Sequence, residues 1–305
     1  MAAKKIRVAV VGTGRWGKNI LKILDALSEC EVAYQATREW HGLLQKNDID
    51  AVVVATPPAT HAEIALPFVE RRVPVFIEKP LAAGLEDAQK IAAAAQKSGS
   101  IVFVGHIHLY NPAYQAAKEQ SKQIGPVRLL LGEGYNFGPV RPDYSAMWDY
   151  GSHDLSMMLD LMGEIPESVA AWGTATLRQG TALWDTAQMQ LNFKNGTVGY
   201  IFSSSVMPQK RRHLTVVGEG GSVVYDDTLV EKKVLLYKKI DTVLEVSYPT
   251  YAPGSPLTLE LQAFLNAIKT GTKPHTDAIA GLAVVAVLNA AEKSIAKNGG
   301  VAIKI

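Results

Sequence analysis

The chain has 305 residues, enough for two hydrophobic cores, because single cores rarely grow beyond about 250–300 residues. Hydrophobic residues make up 48% and charged residues 20%, which is typical of a globular protein, and the net charge of +2 argues against nucleic-acid binding. The single cysteine, Cys30, excludes an internal disulfide and a cysteine-rich zinc site. We identify no signal peptide, and the longest apolar run, near 278–291, is shorter than a membrane span. We therefore expect a cytoplasmic protein without a membrane or nucleic-acid partner.

Short apolar strands alternate with amphipathic helices over the first 104 residues. This alternation predicts a Rossmann-type, doubly wound parallel sheet. The predicted strands are 6–11, 32–36, 51–55, 75–77 and 101–104. The predicted helices are 18–27, 39–45, 60–71 and 85–97.

Strands follow one another from about residue 126, so the second part is predicted to be an α+β domain with a large open mixed or antiparallel sheet. The predicted strands are 127–133, 169–177, 186–193, 197–205, 213–217 and 233–238, with helices at 152–162, 258–270 and 276–297. We divide the chain into a dinucleotide-binding domain (1–120) and a domain for substrate binding and oligomerisation (121–305).

A glycine motif, Gly12-x-Gly14-x-x-Gly17, follows the first strand and opens the first helix. In such a turn the first glycine makes the tight bend, the second lets a pyrophosphate approach, and the third lets helix and strand pack closely. The helix N-terminus adds amide donors for phosphate. The motif also occurs in turns that bind nothing, but this context favours a dinucleotide held by the three glycines with Thr13, Arg15 and Trp16.

The end of the second strand bears on the choice between NAD and NADP. An acidic residue that would bind the ribose of NAD is expected there, but the chain has Thr37 followed by Arg38. This pair favours the 2′-phosphate of NADP. Two alternatives stay open: Arg38 is simply a surface residue, or Glu39 is a displaced acidic group.

Two further segments place charged residues where chemistry is expected. The strand 75–77 ends on Glu78-Lys79-Pro80, and a lysine at the carboxyl edge of a parallel sheet can polarise an oxygen or move a proton. Pro80 can hold a cis peptide that aims it. Asp149 and His153 are four residues apart and meet on one helix turn. A plain strand end for Lys79 and a helix cap for Asp149 are the alternatives.

Taken together, these motifs resemble the Gfo/Idh/MocA oxidoreductases, the relatives of glucose-fructose oxidoreductase and inositol dehydrogenase. The resemblance covers nearly the whole chain and is carried by Gly12-Thr-Gly-Arg-Trp-Gly17, Ala55-Thr-Pro-Pro-Ala-Thr-His61, Glu78-Lys79-Pro80 and Asp149-x-x-x-His153. The segment 141–154 looks most like members that act in sugar-nucleotide and polysaccharide metabolism.

The resemblance implies an NAD(P)-dependent oxidoreductase acting on a secondary alcohol of a sugar, cyclitol or sugar nucleotide. By that resemblance Lys79 assists the reacting hydroxyl, His153 is the general acid/base, and Asp149 positions the substrate or the histidine. It also implies a homodimer or homotetramer formed through the C-terminal sheet. A non-catalytic sugar-binding or nucleotide-binding protein on the same scaffold is the alternative.

The resemblance assigns further residues to the cofactor. The additional cofactor contacts are Thr56, Pro57, His61 and Glu78. The positions of three other residues along the chain predict additional substrate contacts, namely His106, Tyr110 and Trp148. The ring of Trp148 is predicted to stack on a sugar, and an exposed loop is the alternative.

One departure concerns the second strand, and one alternative concerns a metal. Compared with the family, about twenty residues are missing near Ala36, where a helix and a strand would wall the adenosine pocket. His106 and His108 would form a metal pair if they lay on one side of a strand end, but no third ligand follows, so no metal is predicted.

Overall fold

The computed structural model describes residues 4–240 and 243–304. Its first part forms a five-stranded parallel sheet flanked by helices. The elements are β1 (Ile6–Val11), α1 (Arg15–Ala26), β2 (Cys30–Ala36), β3 (Ala51–Val54), α2 (His61–Glu70), β4 (Val75–Glu78), α3 (Leu85–Ser98) and β5 (Val102–Gly105). The predicted parallel sheet is confirmed.

The strand order β2-β1-β3-β4-β5 shows how this sheet is shortened. A six-stranded dinucleotide-binding sheet has the order 3-2-1-4-5-6, with another strand beyond its second. Here β2 is an edge strand, and the segment after it forms a short 3-10 helix, Trp40–Gln45, in place of the predicted α-helix. The missing strand agrees with the shortening expected from the sequence.

From residue 112 onward the described residues form a nine-stranded sheet and four α-helices. The elements are α4 (Pro112–Ser121), β6 (Val127–Phe137), α5 (Ser152–Met162), β7 (Ser168–Thr174), β8 (Thr186–Asn192), β9 (Val198–Ser204), β10 (Val206–Gly218), β11 (Gly221–Asp226), β12 (Val234–Ile240), β13 (Val243–Ser247), α6 (Pro256–Thr270), α7 (Ala278–Lys297) and β14 (Val301–Ala302). The strand order is β13-β12-β11-β10-β6-β9-β8-β7-β14, and the β6–β9 pair is parallel while the other pairs are antiparallel. The predicted mixed sheet is confirmed.

The described residues divide into two compact units, 4–107 with 255–285, and 108–254 with 286–304. This differs from the predicted division at residue 120, because α6 and the first part of α7 return to the first unit. Phe264 of α6 shows why: its ring packs edge-on against Phe76 and Phe103, at 5.7 Å from each centroid. The functions assigned to the two domains stay predictions.

Helix α7 is longer than the apolar run in the sequence suggested. With 20 residues, α7 is long enough and apolar enough to cross a membrane by length and composition, so the expectation of a run too short to span was wrong. However, 61% of the tested window is buried inside the protein, as in a core helix. Among the described residues it is the one helix that passes this test.

A carboxyl group lies in the core of the first unit. Glu260 of α6 is fully buried, and neither of its carboxyl oxygens has a hydrogen-bond partner among the described residues. Burial raises its pKa well above the usual range, and the charge of Glu78 adds to this effect. Burial therefore favours the protonated form of Glu260 in the folded protein.

The pH dependence of unfolding tests this protonation. Because the pKa of Glu260 is raised on folding, its protonated form stabilises the fold at low pH, and this contribution is lost as the pH rises above 4.5, the unfolded value. Glu260→Gln cannot titrate, so as the pH rises above that value the variant should gain about 1 kcal/mol or more in unfolding free energy relative to the wild type. Urea unfolding at a series of pH values measures this difference. Glu70→Gln, at an exposed position of α2, is the control, and parallel pH curves for wild type and Glu260→Gln would contradict the assignment.

Candidate active site

The glycine turn after β1 is shaped by close contacts at two of its three glycines. Gly12 has φ +99°, and a Cβ there would lie 2.6 Å from the carbonyl carbon and oxygen of Ala55. A Cβ at Gly17 would overlap the carbonyl oxygen of Gly12. A Cβ at Gly14 would meet nothing within 4 Å. Packing therefore requires the first and third glycines, while the second borders open space at the N-terminus of α1.

This turn lies where a ligand is expected in such a sheet. β1 pairs with β2 on one side and β3 on the other, so the strand order reverses between β1 and β3. Open α/β sheets bind ligands at the carboxyl ends of the strands at this reversal. Thr56 and Pro57 follow β3 at the same edge, and the Thr60 hydroxyl donates to the Thr56 hydroxyl at 2.8 Å. The residues present therefore fit a dinucleotide.

The buried ring of His61 connects the two segments that follow β3 and β4 at this edge. Its ring is fully buried, with Nδ1 3.0 Å from the Pro80 carbonyl oxygen and Nε2 2.9 Å from that of Thr56. Burial lowers its pKa although the carbonyl groups oppose this. The predicted direct contact of His61 with the cofactor is not supported by a ring without solvent access, and its contacts make it a positioning residue.

A cavity of about 600 Å³ lies beside the end of β2. It is lined by Thr13, Tyr34, Gln35, Ala36, Thr37, Glu39, Gly42, Leu43 and Lys46. Thr37 and Glu39 thus reach the space in which an adenosine would lie. Arg38 is exposed and is not among the lining residues, so the preference for NADP stays a prediction.

The end of β4 carries Glu78, Lys79 and Pro80, and the Lys79–Pro80 peptide is cis, as the sequence allowed. Trp16, at the start of α1, donates its indole N–H to Glu78 Oε1, which joins the glycine turn to this strand. Burial raises the pKa of Glu78 to about 7, although Trp16 and Lys79 oppose this. Lys79 itself is half-buried.

His106 follows β5 and is neutral. Its side chain is 1% exposed, and neither ring nitrogen has a hydrogen-bond partner among the described residues. Burial lowers its pKa to about 3, and the charges of Lys79 and His275 add to this. A direct contact with substrate is not supported by a ring so well covered.

The pairing of His106 with His108 as metal ligands also finds no support. A 3-10 helix, Ile107–Tyr110, follows β5, so the two histidines do not share one side of a strand. Over residues 4–240 and 243–304, no group of three or more His, Cys, Asp and Glu is arranged to hold a metal ion.

Asp149 and His153 lie in the second unit, on one continuous helical segment. A π-helical turn, Met147–Gly151, runs directly into α5, so the four-residue spacing falls on a helix as predicted. Asp149 is buried, and its Oδ2 accepts a hydrogen bond from Arg141 Nε at 3.1 Å. His153 is partly exposed, and its ring contacts the ring of His108 edge-on, with the centroids 4.9 Å apart.

Glycines in the sheet let this helix approach closely. A Cβ at Gly132 of β6 would lie 2.9 Å from the Cβ of Asp154, and one at Gly134 would lie 2.5 Å from its Oδ2. A Cβ at Gly151 would lie 2.8 Å from the Ser203 hydroxyl. Burial raises the pKa of Asp154 to about 8, so it is mostly neutral at pH 7. The glycines thus fix the position of the helix that carries His153.

The two aromatic residues assigned to the substrate differ in their surroundings. Trp148 is 4% exposed, and its indole N–H donates to Glu292 Oε1 at 2.8 Å. The predicted stacking of Trp148 on a substrate is therefore not supported, because its ring is part of the core. Tyr110, at the end of the 3-10 helix, is partly exposed.

Several contacts that complete these surroundings could not be predicted from the sequence. The Trp16–Glu78 hydrogen bond joins residues 62 positions apart, and the bond between His108 and Tyr225 joins residues 117 apart. Residue types at strand ends identify the edge of the sheet, but they do not show which distant residue forms the hydrogen bond.

The chain matches known proteins over both of its parts. Residues 26–106 match the description "Oxidoreductase family, NAD-binding Rossmann fold", and residues 114–224 match the "GFO/IDH/MocA C-terminal domain". A crystal structure from Magnetospirillum magnetotacticum MS-1, of a protein assigned as an oxidoreductase, superposes with a TM-score of 0.83 and 33% identity, covering 94% of this chain and 99% of that one.

Two relatives have named activities. Myo-inositol 2-dehydrogenase of Thermotoga maritima is 26% identical, covering 98% of this chain and 99% of its own length. UDP-N-acetylglucosamine 3-dehydrogenase of Acidithiobacillus ferrooxidans is 29% identical, covering 78% and 76%. The first alignment spans 331 positions, more than the 305 residues here, so that relative has residues that this chain lacks. With a matching sequence in both parts and a glycine turn built for a dinucleotide, the chain belongs to the Gfo/Idh/MocA family of NAD(P)-dependent oxidoreductases.

Proposed function

We propose that this protein oxidises a secondary alcohol of a sugar, cyclitol or sugar nucleotide, or reduces the corresponding ketone. The observation that carries the proposal is the turn at the reversal of strand order, where Gly14 borders open space while Gly12 and Gly17 are fixed by packing. The names of the relatives, which include inositol and UDP-N-acetylglucosamine dehydrogenases, support the substrate class. They give no support to a non-catalytic role.

The dinucleotide would be held by three groups of residues in the first unit. The turn from Gly12 to Gly17, with Thr13, Arg15 and Trp16, would bind the pyrophosphate through backbone amides at the start of α1. Thr37 and its neighbours would hold the ribose of the adenosine. Thr56, Pro57 and Glu78 would contact the nicotinamide end. When bound, the dinucleotide supplies or accepts the hydride.

The chain's own part in the reaction is proton transfer and placement. In the oxidative direction His153 would remove the hydroxyl proton through its imidazole ring, the group that proteins use most often as a general base. Lys79 would donate a hydrogen bond to the same oxygen and stabilise its developing negative charge. Asp149, held by Arg141, would bind a substrate hydroxyl or orient His153. Tyr110 would line the substrate site.

A homodimer or homotetramer through the nine-stranded sheet is part of the proposal. Leu131 of β6 and Tyr200 of β9 are cross-strand neighbours, and both are exposed together with Trp172 of β7. Exposed apolar residues side by side on a sheet are typical of a surface that another subunit covers. We also keep the cytoplasmic location as a proposal.

Binding of the dinucleotide tests the role of Gly14. Gly14→Ala should leave the unfolding free energy within about 1 kcal/mol of the wild type, because the added methyl group contacts no other atom of the protein. It should weaken NADH or NADPH binding about tenfold or more, because the methyl group would occupy the space that the pyrophosphate needs. Gly84→Ala is the matched control, since Gly84 also caps a helix and borders open space. Fluorescence titration measures the affinity. Equal affinity in both variants would contradict the placement of the pyrophosphate.

The cofactor preference is tested at Arg38. If Arg38 binds a 2′-phosphate, Arg38→Ala should weaken NADPH binding by about tenfold and leave NADH binding unchanged, since hydrogen bonds between charged groups contribute about 1.5–3 kcal/mol. Lys22→Ala, at an exposed position of α1, removes the same charge elsewhere. An equal effect on both cofactors would show that Arg38 is only a surface residue. A specific loss of NADH binding in Glu39→Gln would identify Glu39 as the displaced acidic group.

Turnover tests the assignment of Lys79 and His153. The wild type is assayed by nicotinamide absorbance with NAD and NADP against a panel of sugars, cyclitols and sugar nucleotides. Lys79→Ala and His153→Ala should each lower kcat by about a hundredfold or more with the fold retained, because each loses a group that acts on the reacting oxygen. Circular dichroism controls for folding. Turnover close to that of the wild type in either variant would overturn the assignment.

A further inference from the structure

A set of buried polar side chains surrounds His108, the residue whose ring contacts His153. His108 is 8% exposed, and its Nδ1 lies 3.2 Å from the hydroxyl of Tyr225, which is 1% exposed. The rings of His108 and His153 meet at an interplanar angle of 75°, so one ring edge faces the other ring. His108 is thus held between Tyr225 and His153.

Asn111 determines the direction of the hydrogen bonds in this set. Its Oδ1 accepts from the backbone N–H of Ala113 at the start of α4, at 3.0 Å, which fixes the orientation of the amide. Its Nδ2 therefore donates, at 2.8 Å to the Tyr225 hydroxyl and at 3.0 Å to Asp227 Oδ1. The Tyr225 oxygen accepts one of its hydrogen bonds from this amide.

Asp227 supplies a negative charge at the other end. Burial opposes its ionisation, but the hydrogen bond from Lys233 Nζ, at 2.7 Å, and the nearby His108 outweigh burial and lower its pKa. Tyr225 stays protonated, because burial and the charge and hydrogen bond of Asp227 raise its pKa well above the usual value.

The proton positions follow from these charges. The hydrogen bond between Tyr225 and Asp227 uses the Tyr225 proton, because a carboxylate can only accept. The Tyr225 oxygen is then left as an acceptor on its other side, and His108 Nδ1 must donate to it.

We propose that Asp227, Asn111 and Tyr225 fix His108 with its proton on Nδ1, and that His108 in turn holds the ring of His153 in the orientation needed for proton transfer. All four are positioning residues, since they act through His153. The proposal rests on the role of His153 in the proposed function. A small displacement of a catalytic group can cost about a hundredfold in rate, so such support has a measurable effect.

The first test needs no substrate. The full chain is labelled with ¹⁵N-histidine, and the NMR signals of His108 and His153 are assigned with His108→Gln and His153→Gln. In the wild type the neutral form of His108 should carry its proton on Nδ1. Tyr225→Phe should shift that proton to Nε2 and change the signals of His153. Tyr237→Phe on the neighbouring strand β12 is the control and should change neither.

The second test uses turnover with the best substrate of the panel. Tyr225→Phe should lower kcat about tenfold with KM within about a factor of two, since orientation and not binding is lost. Tyr237→Phe should match the wild type. Thermal unfolding confirms that the fold is retained, and if Tyr225→Phe does not fold, Asp227→Asn, which keeps the shape and removes the charge, takes its place with the same expected changes.

Two results would overturn the proposal. One is that the His153 signals are unchanged in both Tyr225→Phe and His108→Gln. The other is that Tyr225→Phe turns over like Tyr237→Phe. Because the NMR measurement is made without substrate or cofactor, failure of the proposed function would appear as absent turnover while the histidine signals still respond.

Discussion

The close packing of the turn after β1 is the constraint on which the rest of the first unit depends. A single methyl group at Gly12 or Gly17 would collide with the backbone of Ala55 or of the turn itself. Because these two positions carry no side chain, the start of α1 can pack against the carboxyl ends of β1 and β3. The amide groups at that helix end are thereby presented beside the opening that Gly14 leaves. Trp16 then reaches Glu78, so the same turn also braces the strand that carries Lys79.

Close contacts at glycines perform a similar task in the second unit, at a different place. Gly132 and Gly134 of β6 leave room for the side chain of Asp154, so α5 packs directly on the sheet. Burial then sets the charges: Asp154 is mostly neutral with a pKa of about 8, and in the first unit His106 is neutral with a pKa of about 3. Asp149 and Asp227 instead form ion pairs with Arg141 and Lys233, and the pKa of Asp227 is lowered although burial opposes this.

The sequence predicts the parallel sheet well because β1, β3, β4 and β5 are short, mostly apolar segments that are buried on both faces, and because glycine spacing has a steric meaning. It does not show burial that depends on distant segments. His61, His106 and Trp148 are predicted ligand contacts, but the fold covers all three rings. Position along a strand identifies the edge of the sheet, not whether another segment covers the side chain.

Three other features of the fold also differ from the prediction, each for its own reason. Helix α4 was not predicted, since its residues are mostly small or polar, and it forms with Asn111 as its cap and Pro112 in its first turn. Strand β13 was missed because all five of its residues are exposed, so no alternation marks it. The two compact units differ from the predicted division at residue 120 because α6 belongs to the first unit, which no local pattern shows.

The central claim is that the shortened first sheet still holds a dinucleotide at the glycine turn. Calorimetric titration of the purified wild-type chain with NADH and with NADPH tests it most directly. Saturable binding of at least one of them, with one dinucleotide per chain, is the predicted result. If neither binds, the open space beside Gly14 is not a dinucleotide site, and the account of the first unit is wrong.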